Sequence, residues 1–165
     1  MCEIRQATEK DYAFICRLVT SKSELYRIYP GGSYPLTIEQ LSEIAKVRSD
    51  LSVVTQENRI IGFANLYNFE ANHSAFIGNV IVDRKQRGRG IGKRLVRHML
   101  GLAFDKHRLS TVKISVFGDN SSALLLYTSL GFRPYAVEER INPEGRRTAL
   151  IHMRIDHQGG HSEEC

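Results

Sequence analysis

The run from Val82 to Arg97 constrains this chain more than any other. An apolar strand pattern ends at Val82, a short basic turn follows, and Gly88, Gly90 and Gly92 lead straight into a helical pattern. A chain written this way turns sharply from strand to helix with little side-chain bulk at the turn. The first backbone N–H groups of a helix have no intrahelical partner and carry the positive end of the helix dipole. Where glycine leaves them uncovered, they form a cradle for phosphate. Two familiar phosphate motifs do not fit. A dinucleotide-binding turn needs G-x-G-x-x-G, but Gly88-Arg89-Gly90 is followed by Gly92 and then Lys93. A P-loop needs a glycine where Arg87 stands and a Ser or Thr where Arg94 stands.

A small phosphorylated partner suits this turn better than a nucleic acid. Lys and Arg number 23 against 18 acidic residues, a net charge of only +5, and seven of the bases lie between Arg84 and Arg97. A nucleic-acid-binding domain would need basic or aromatic interleaving beyond this one turn, so no nucleic-acid partner is expected. The length of 165 residues, with 42% hydrophobic and 25% charged side chains, fits one globular domain over residues 1–155. The last ten residues, 156–165, have no apolar pattern and read as a flexible tail. Cys2, Cys16 and Cys165 are odd in number and form no C-x-x-C, which points to a reducing compartment. With no signal-like start and no apolar run near the roughly 18 residues that suggest a span, the expectation is a cytoplasmic protein with no membrane partner. No metal site is expected: His157 and His161 have i, i+4 spacing but fall in the Gly-rich tail.

Read in order, Glu3 to Ala7 is a short strand. Thr8 and Asp11 open a helix that places Ile15, Leu18 and Val19 on one face. Ser21 to Pro35 reads as an aromatic loop with Tyr26, Tyr29 and Tyr34. These tyrosines either cover the core or form one wall of an acceptor pocket. Thr37 caps a helix carrying Ile38, Leu41 and Ile44. Strands follow at Leu51–Thr55, Ile60–Asn68 and Ala75–Val82, the first two joined by a Glu57-Asn58 turn. The last is almost wholly apolar, as a central strand would be. Asn65 and Asn79 are either satisfied core amides or the lining of a polar channel. Ile91, Leu95, Met99, Leu102 and Ala103 form one helical face on which His98 and His107 take surface positions, and Val112, Ile114 and Val116 the next strand. Strand, helix and strand make a right-handed crossover, so the strands ending at Val82 and starting at Val112 should be parallel. Ligands of such sheets bind beyond the carboxyl ends of the strands, beside the glycine turn. Asn120 caps a helix that Gly131 ends, and Phe132–Arg140 with Arg147–Ile155 closes the chain as a hairpin.

Arg87, Gly90 and Gly92 spell R-x-x-G-x-G, and Asn120 to Phe132 spells N-x-x-A-x-x-L-Y-x-x-x-G-F. Together these segments resemble the two signatures of the GNAT superfamily of N-acetyltransferases, in the family's order. The likeness extends over roughly Ile4 to Met153, though only the two motifs are specific. It implies an α/β (α+β) fold with a mixed antiparallel and parallel sheet, splayed near Val82 and flanked by about four helices. It implies acetyl-CoA as co-substrate, held by Val80, Ile81 and Val82, by Arg87, Gly88, Arg89, Gly90, Ile91, Gly92 and Lys93, and by Asn120. It also implies an amine acceptor on a small molecule or a peptide, and a monomer or homodimer.

Seven residues turn a helix through about 700°, so Asn120 and Tyr127 share a face, about 10 Å apart along the axis. In the family Tyr127 would protonate the departing thiolate. Tyr26, Tyr29, Asn65 and Asn79 are the candidate acceptor-binding residues. Many relatives place a glutamate base where this sequence has Ser115, which cannot serve as a base at neutral pH. Deprotonation by a water wire, or by Glu138 or Glu139, is conceivable, and no base is assigned. A non-catalytic acyl-CoA sensor is the alternative, against which the presence of Tyr127 counts.

Overall fold

The computed structural model describes residues 1–158. The rest of the expected tail, including His161 and Cys165, lies outside the described residues. The chain forms β1 (Cys2–Gln6), α1 (Tyr12–Arg17), α2 (Lys22–Ile28), α3 (Ile38–Val47), β2 (Ser49–Gln56), β3 (Arg59–Glu70) and β4 (Ser74–Val82). It continues with α4 (Ile91–Gly101), β5 (Thr111–Phe117), α5 (Ser121–Ser129), β6 (Arg133–Ile141) and β7 (Arg147–Asp156). The seven strands make one sheet in the order β1-β2-β3-β4-β5-β7-β6. β4 and β5 are parallel, as the crossover requires, and every other neighbouring pair is antiparallel.

Helices cover both faces because the strands alternate their apolar side chains. On one face α1, α2 and α3 bury Ile15, Leu25, Leu41 and Ile44 against Val53, Phe63 and Ile81. On the other, α4 and α5 bury Leu95, Met99 and Tyr127 against Val54, Leu66, Ile77 and Ile114. Local signals set the helix starts: Thr8 and Asp11 form a capping box around the 3-10 turn Glu9–Asp11 that leads into α1, Ser21 accepts from the Glu24 amide of α2, and Thr37 accepts from that of Gln40 in α3. Each such cap stabilises its helix by about 1 kcal/mol. Glu57 and Asn58 both take positive φ, 49° and 61°, the geometry of a tight two-residue hairpin turn.

Three expectations need correction. The segment 21–35 is not all loop: its first part is α2, which the Ser21 cap and the burial of Leu25 hold in place, so the described residues form five α-helices. Ile38 is 47% exposed, because the buried stripe of α3 runs through Leu41 and Ile44 only. His107 lies beyond α4, after a looser turn in which its amide reaches the Leu102 carbonyl. Its ring bonds the nearly buried Asp50 at 2.7 Å instead of standing free at the surface.

The sheet does splay, but the split opens earlier than Val82. Pairing of β4 with β5 ends at Ile77 and Ile114. The cause is a bulge: Gly78 pairs with Asn65 and Ile81 with Phe63, so Asn79 and Val80 together oppose the single residue Ala64. Asn79 takes φ 51°, a conformation asparagine tolerates better than most residues. In an uninterrupted strand Ile77 and Ile81 would face the same way. Here they pack into opposite cores, and the edge of β4 from Gly78 to Val82 is left without a strand on the β5 side.

Candidate active site

At the carboxyl end of β4 the chain makes the sharp turn that its glycines allow. Gly88 and Gly90 sit at φ 78° and 79°, the left-handed region open to glycine at little cost. Gly90 is the N-cap of α4, so the first amides of that helix emerge beside an unobstructed backbone. Gly92 answers a different need: a Cβ there would lie 3.3 Å from Leu126 Cδ2, so its absence lets α4 approach α5.

These elements enclose a cavity of about 590 Å³. Val80, Ile81 and Val82 form its floor; Arg87, Gly88, Gly90, Ile91, Gly92 and Lys93 form one wall, and Asn120, Ala123, Leu126 and Tyr127 the other. Glu24, Arg27 and Ile28 of α2 close the third side. Arg89 turns away and bonds Gln86 at 3.2 Å. Arg87 folds back across the mouth, its Nε donating to the Val82 carbonyl at 3.0 Å and its guanidinium pairing with Glu24. Burial works against ionisation of Glu24, but hydrogen bonds from Thr20 and Arg87 outweigh it and hold the carboxyl below its ordinary range. Arg27 and Ile28 of this wall escaped sequence reasoning, although positions 24, 27 and 28 have the spacing of one helical face.

Asn120 and Tyr127 both reach the cavity, Asn120 while also capping α5 through the Ala123 amide. Tyr127 is 6% exposed, and burial pushes its phenol far above the ordinary tyrosine range, so it is protonated at any pH near neutrality. No side-chain hydrogen bond within the described residues engages its hydroxyl, while its ring meets Phe132 edge-on at 6.0 Å.

Past Val80, Asn120 and Tyr127 a smaller chamber of about 70 Å³ enters the split between β4 and β5. Arg48, Tyr67, Gly78, Asn79 and Ser115 line it, with Arg27 at its entrance from the main cavity. Arg48 Nη1 donates to Asn65 Oδ1 at 3.1 Å and to Asn79 Oδ1 at 2.9 Å, and its guanidinium lies over the Tyr67 ring at 4.1 Å. Asn79 Nδ2 bonds the Ile28 carbonyl at 2.7 Å, which ties the bulge to α2. Burial lowers the Arg48 pKa, and only the Tyr67 and Tyr29 phenols act the other way. An arginine nonetheless stays charged.

The four acceptor candidates separate in space. Asn79 lines the chamber, while Asn65 is fully buried behind it and donates to Asn79 at 2.7 Å. Tyr29 packs among the α1–α3 core side chains. Tyr26 stacks on Phe117 at 4.9 Å and borders neither cavity. Glu138 and Glu139 stand on the exposed strand β6, paired with Arg140 and Arg147. Among the described residues no cluster of His, Cys, Asp or Glu has the arrangement of a metal site.

This geometry, a glycine-started helix facing a tyrosine-bearing helix across a split sheet, accords with the match of residues 18–132 to the Acetyltransferase (GNAT) family. The chain belongs to that family. Among curated proteins it is similar to [Ribosomal protein bS18]-alanine N-acetyltransferase of Escherichia coli, 30% identical over 79 residues that cover 47% of this chain and 53% of the relative. The chain thus spans about half the length of that relative. Among solved structures it shares its fold with a ribosomal-protein-alanine N-acetyltransferase from Brucella melitensis, with a TM-score of 0.79, 19% identity and coverage of 94% and 99% of the two chains. It is also similar to yncA of Salmonella typhimurium, solved with acetyl-CoA, at a TM-score of 0.76, 16% identity and coverage of 100% and 99%. This GNAT fold is the one that the two sequence motifs imply.

Proposed function

We propose that the protein is an acetyl-CoA-dependent N-acetyltransferase that passes the acetyl group directly to a primary amine while both substrates are bound. The observation that carries this reading is the joining of the two cavities at Val80, Asn120 and Tyr127. The larger has the size and the glycine-lined helix start that a pyrophosphate-bearing co-substrate needs. The smaller gives an amine its own approach to the same point. Val80 to Val82, the turn from Arg87 to Lys93 and Asn120 hold acetyl-CoA in this account, with Arg89 contributing charge from outside the wall. Tyr127 donates to the sulfur as the C–S bond breaks. Between ordinary values of about 10 and 8.5 that transfer is uphill by about 2 kcal/mol; the burial of Tyr127 adds to this cost, and desolvation of the departing thiolate in the same cavity offsets part of it.

The acceptor is an amine on a small molecule or at a peptide N-terminus, the latter supported by the bS18-alanine activity of the E. coli relative. The chamber lining contains the cations Arg27 and Arg48 and no carboxylate. That charge suits an acceptor with an anionic group near its amine and opposes polycationic ones. Its cysteines Cys2 and Cys16 being free thiols, the enzyme is proposed to work in the reducing cytoplasm.

Release of CoA thiol is to be followed over amino acids, their amides, polyamines and short peptides. Turnover of an amine supports the reading, and acetyl-CoA binding without release on any of them contradicts it. Within such a panel, Arg48→Met should raise KM for a carboxylate-bearing amine by about 10- to 100-fold, the worth of one or two charge-assisted hydrogen bonds. The matching amide should be almost unaffected. Gly78→Ala should act similarly, because its Cβ would overlap Arg48 Nη1 and the Tyr67 ring. Equal losses for acid and amide would contradict an anion-reading role.

A further inference from the structure

Removal of the amine proton has no obvious agent in the sequence, since the position expected to hold a base is Ser115. Three side chains that are far apart in the chain come together there. Ser115 on β5 and His152 on β7 are register partners, and Ser115 Oγ lies 2.7 Å from His152 Nδ1. His152 Nε2 in turn lies 3.3 Å from Glu138 Oε1 on β6. The chain of contacts starts at a residue that lines the small chamber and ends at an exposed carboxylate.

We propose that Ser115, His152 and Glu138 form the proton relay that serves the amine acceptor. This rests on the transferase reading above. Glu138, a carboxylate, can only accept, so it fixes the tautomer with hydrogen on Nε2 and leaves Nδ1 to accept from the Ser115 hydroxyl. As the amine nitrogen bonds the acetyl carbon it becomes acidic. Its proton passes to Ser115 Oγ while the serine proton passes to His152 Nδ1, and the C–S bond breaks with Tyr127 donating to sulfur. The products are the amide, the CoA thiol, an imidazolium beside Glu138 and a tyrosinate. The last two return to their starting forms by exchange with solvent, to which the 21% exposed His152 side chain has access. Ser115 touches the acceptor and is the catalytic residue, whereas His152 and Glu138 are positioning residues that act through it.

The surroundings favour this assignment. Hydrogen bonding from Arg140, before any other cause, keeps the Glu138 carboxyl below its ordinary range, so it is an anion at neutral pH. Arg27 and Arg48 line the chamber and disfavour an ammonium ion there, which leaves the neutral amine as the form to be attacked. The other ionisable groups near the relay are Tyr135 on β6, whose ring is 6.1 Å from that of His152, and Tyr67 on β3 beside Ser115. Lys113 on β5 lies over the Tyr135 ring, and Arg154 on β7 acts on the same phenol. None of them is a carboxylate that could replace Glu138.

The test is the pH dependence of kcat/KM on an amine the enzyme accepts, with acetyl-CoA affinity measured in every variant as the check on folding. The wild type should lose activity towards acid pH, because an imidazolium has no lone pair with which to accept from Ser115. In His152→Gln and Ser115→Ala that limb should disappear, with kcat lower by about 10- to 100-fold at pH 7 and partial recovery at high pH. Acetyl-CoA affinity should be unchanged. The double variant should be no worse than either single one, because the two act as a unit. Glu138→Gln should give a smaller loss, and Ser115→Thr should restore the limb. A wild-type pH profile in His152→Gln and Ser115→Ala would overturn the relay and leave the transferase reading standing. No turnover of any amine by the wild type would overturn both.

Discussion

Gly90→Val is expected to abolish measurable acetyl-CoA binding, a loss of more than about 100-fold, in a protein that still folds. Position 90 sits at φ 79°, where a residue with a side chain costs roughly 1–2 kcal/mol, and a β-branched one more. A Cβ added there meets no protein atom within 4 Å, so the damage is not a core clash. The side chain would instead project into the open space before the first amides of α4, and the strain would draw the turn away from its left-handed form. Loss of two charge-assisted hydrogen bonds to phosphate is worth about 3 kcal/mol or more, which corresponds to over 100-fold in affinity. Gly145→Val supplies the control. Gly145 has φ 77° in the β6–β7 turn, also with nothing within 4 Å of its Cβ, and belongs to neither cavity. It should bear the same strain with acetyl-CoA affinity intact, as calorimetry on both variants would reveal.

Tyr127→Phe is expected to divide the other way. Its hydroxyl engages no side-chain hydrogen bond within the described residues, so its removal should change stability by less than about 0.5 kcal/mol. The ring that packs against Phe132 is retained. Acetyl-CoA affinity should stay within about threefold of the wild type while kcat falls by about 100-fold or more, the contribution of a positioned proton donor. Parallel losses of affinity and turnover would mean that Tyr127 shapes the cavity rather than serving the leaving sulfur. Unchanged turnover would favour a role in which the family fold binds acyl-CoA without using this phenol.

Much of the site was legible in the sequence because its signals are local. The glycine turn, the Asn120 cap and the seven-residue step to Tyr127 are written within short stretches, and each lands on the cavity wall. The parallel crossover followed from the strand, helix and strand order and is present at Ile77 and Ile114. Other parts depend on contacts between distant segments. α2 is seven residues long and leads into Pro30, Gly31 and Gly32, so its helical form owes more to Leu25 burying in the core than to propensity. The bulge at Asn79 has no marker except an asparagine in an apolar strand. Its consequence, an early split that leaves room for Arg48 above Gly78, appears only once β3 and β4 are in register. The approach of Ser115 to His152 is likewise a matter of strand register across thirty-seven positions. Glu138 joins them only because β6 pairs with β7.

The proposed chemistry requires that the turn from Arg87 to Lys93 and the facing α5 helix bind acetyl-CoA. Calorimetric titration of the protein with acetyl-CoA at about 50 and about 500 mM salt tests it most directly. One site of micromolar affinity is expected, weakening severalfold at the higher salt because screening reaches the exposed bases around the phosphates. The absence of a binding isotherm at either salt would contradict it.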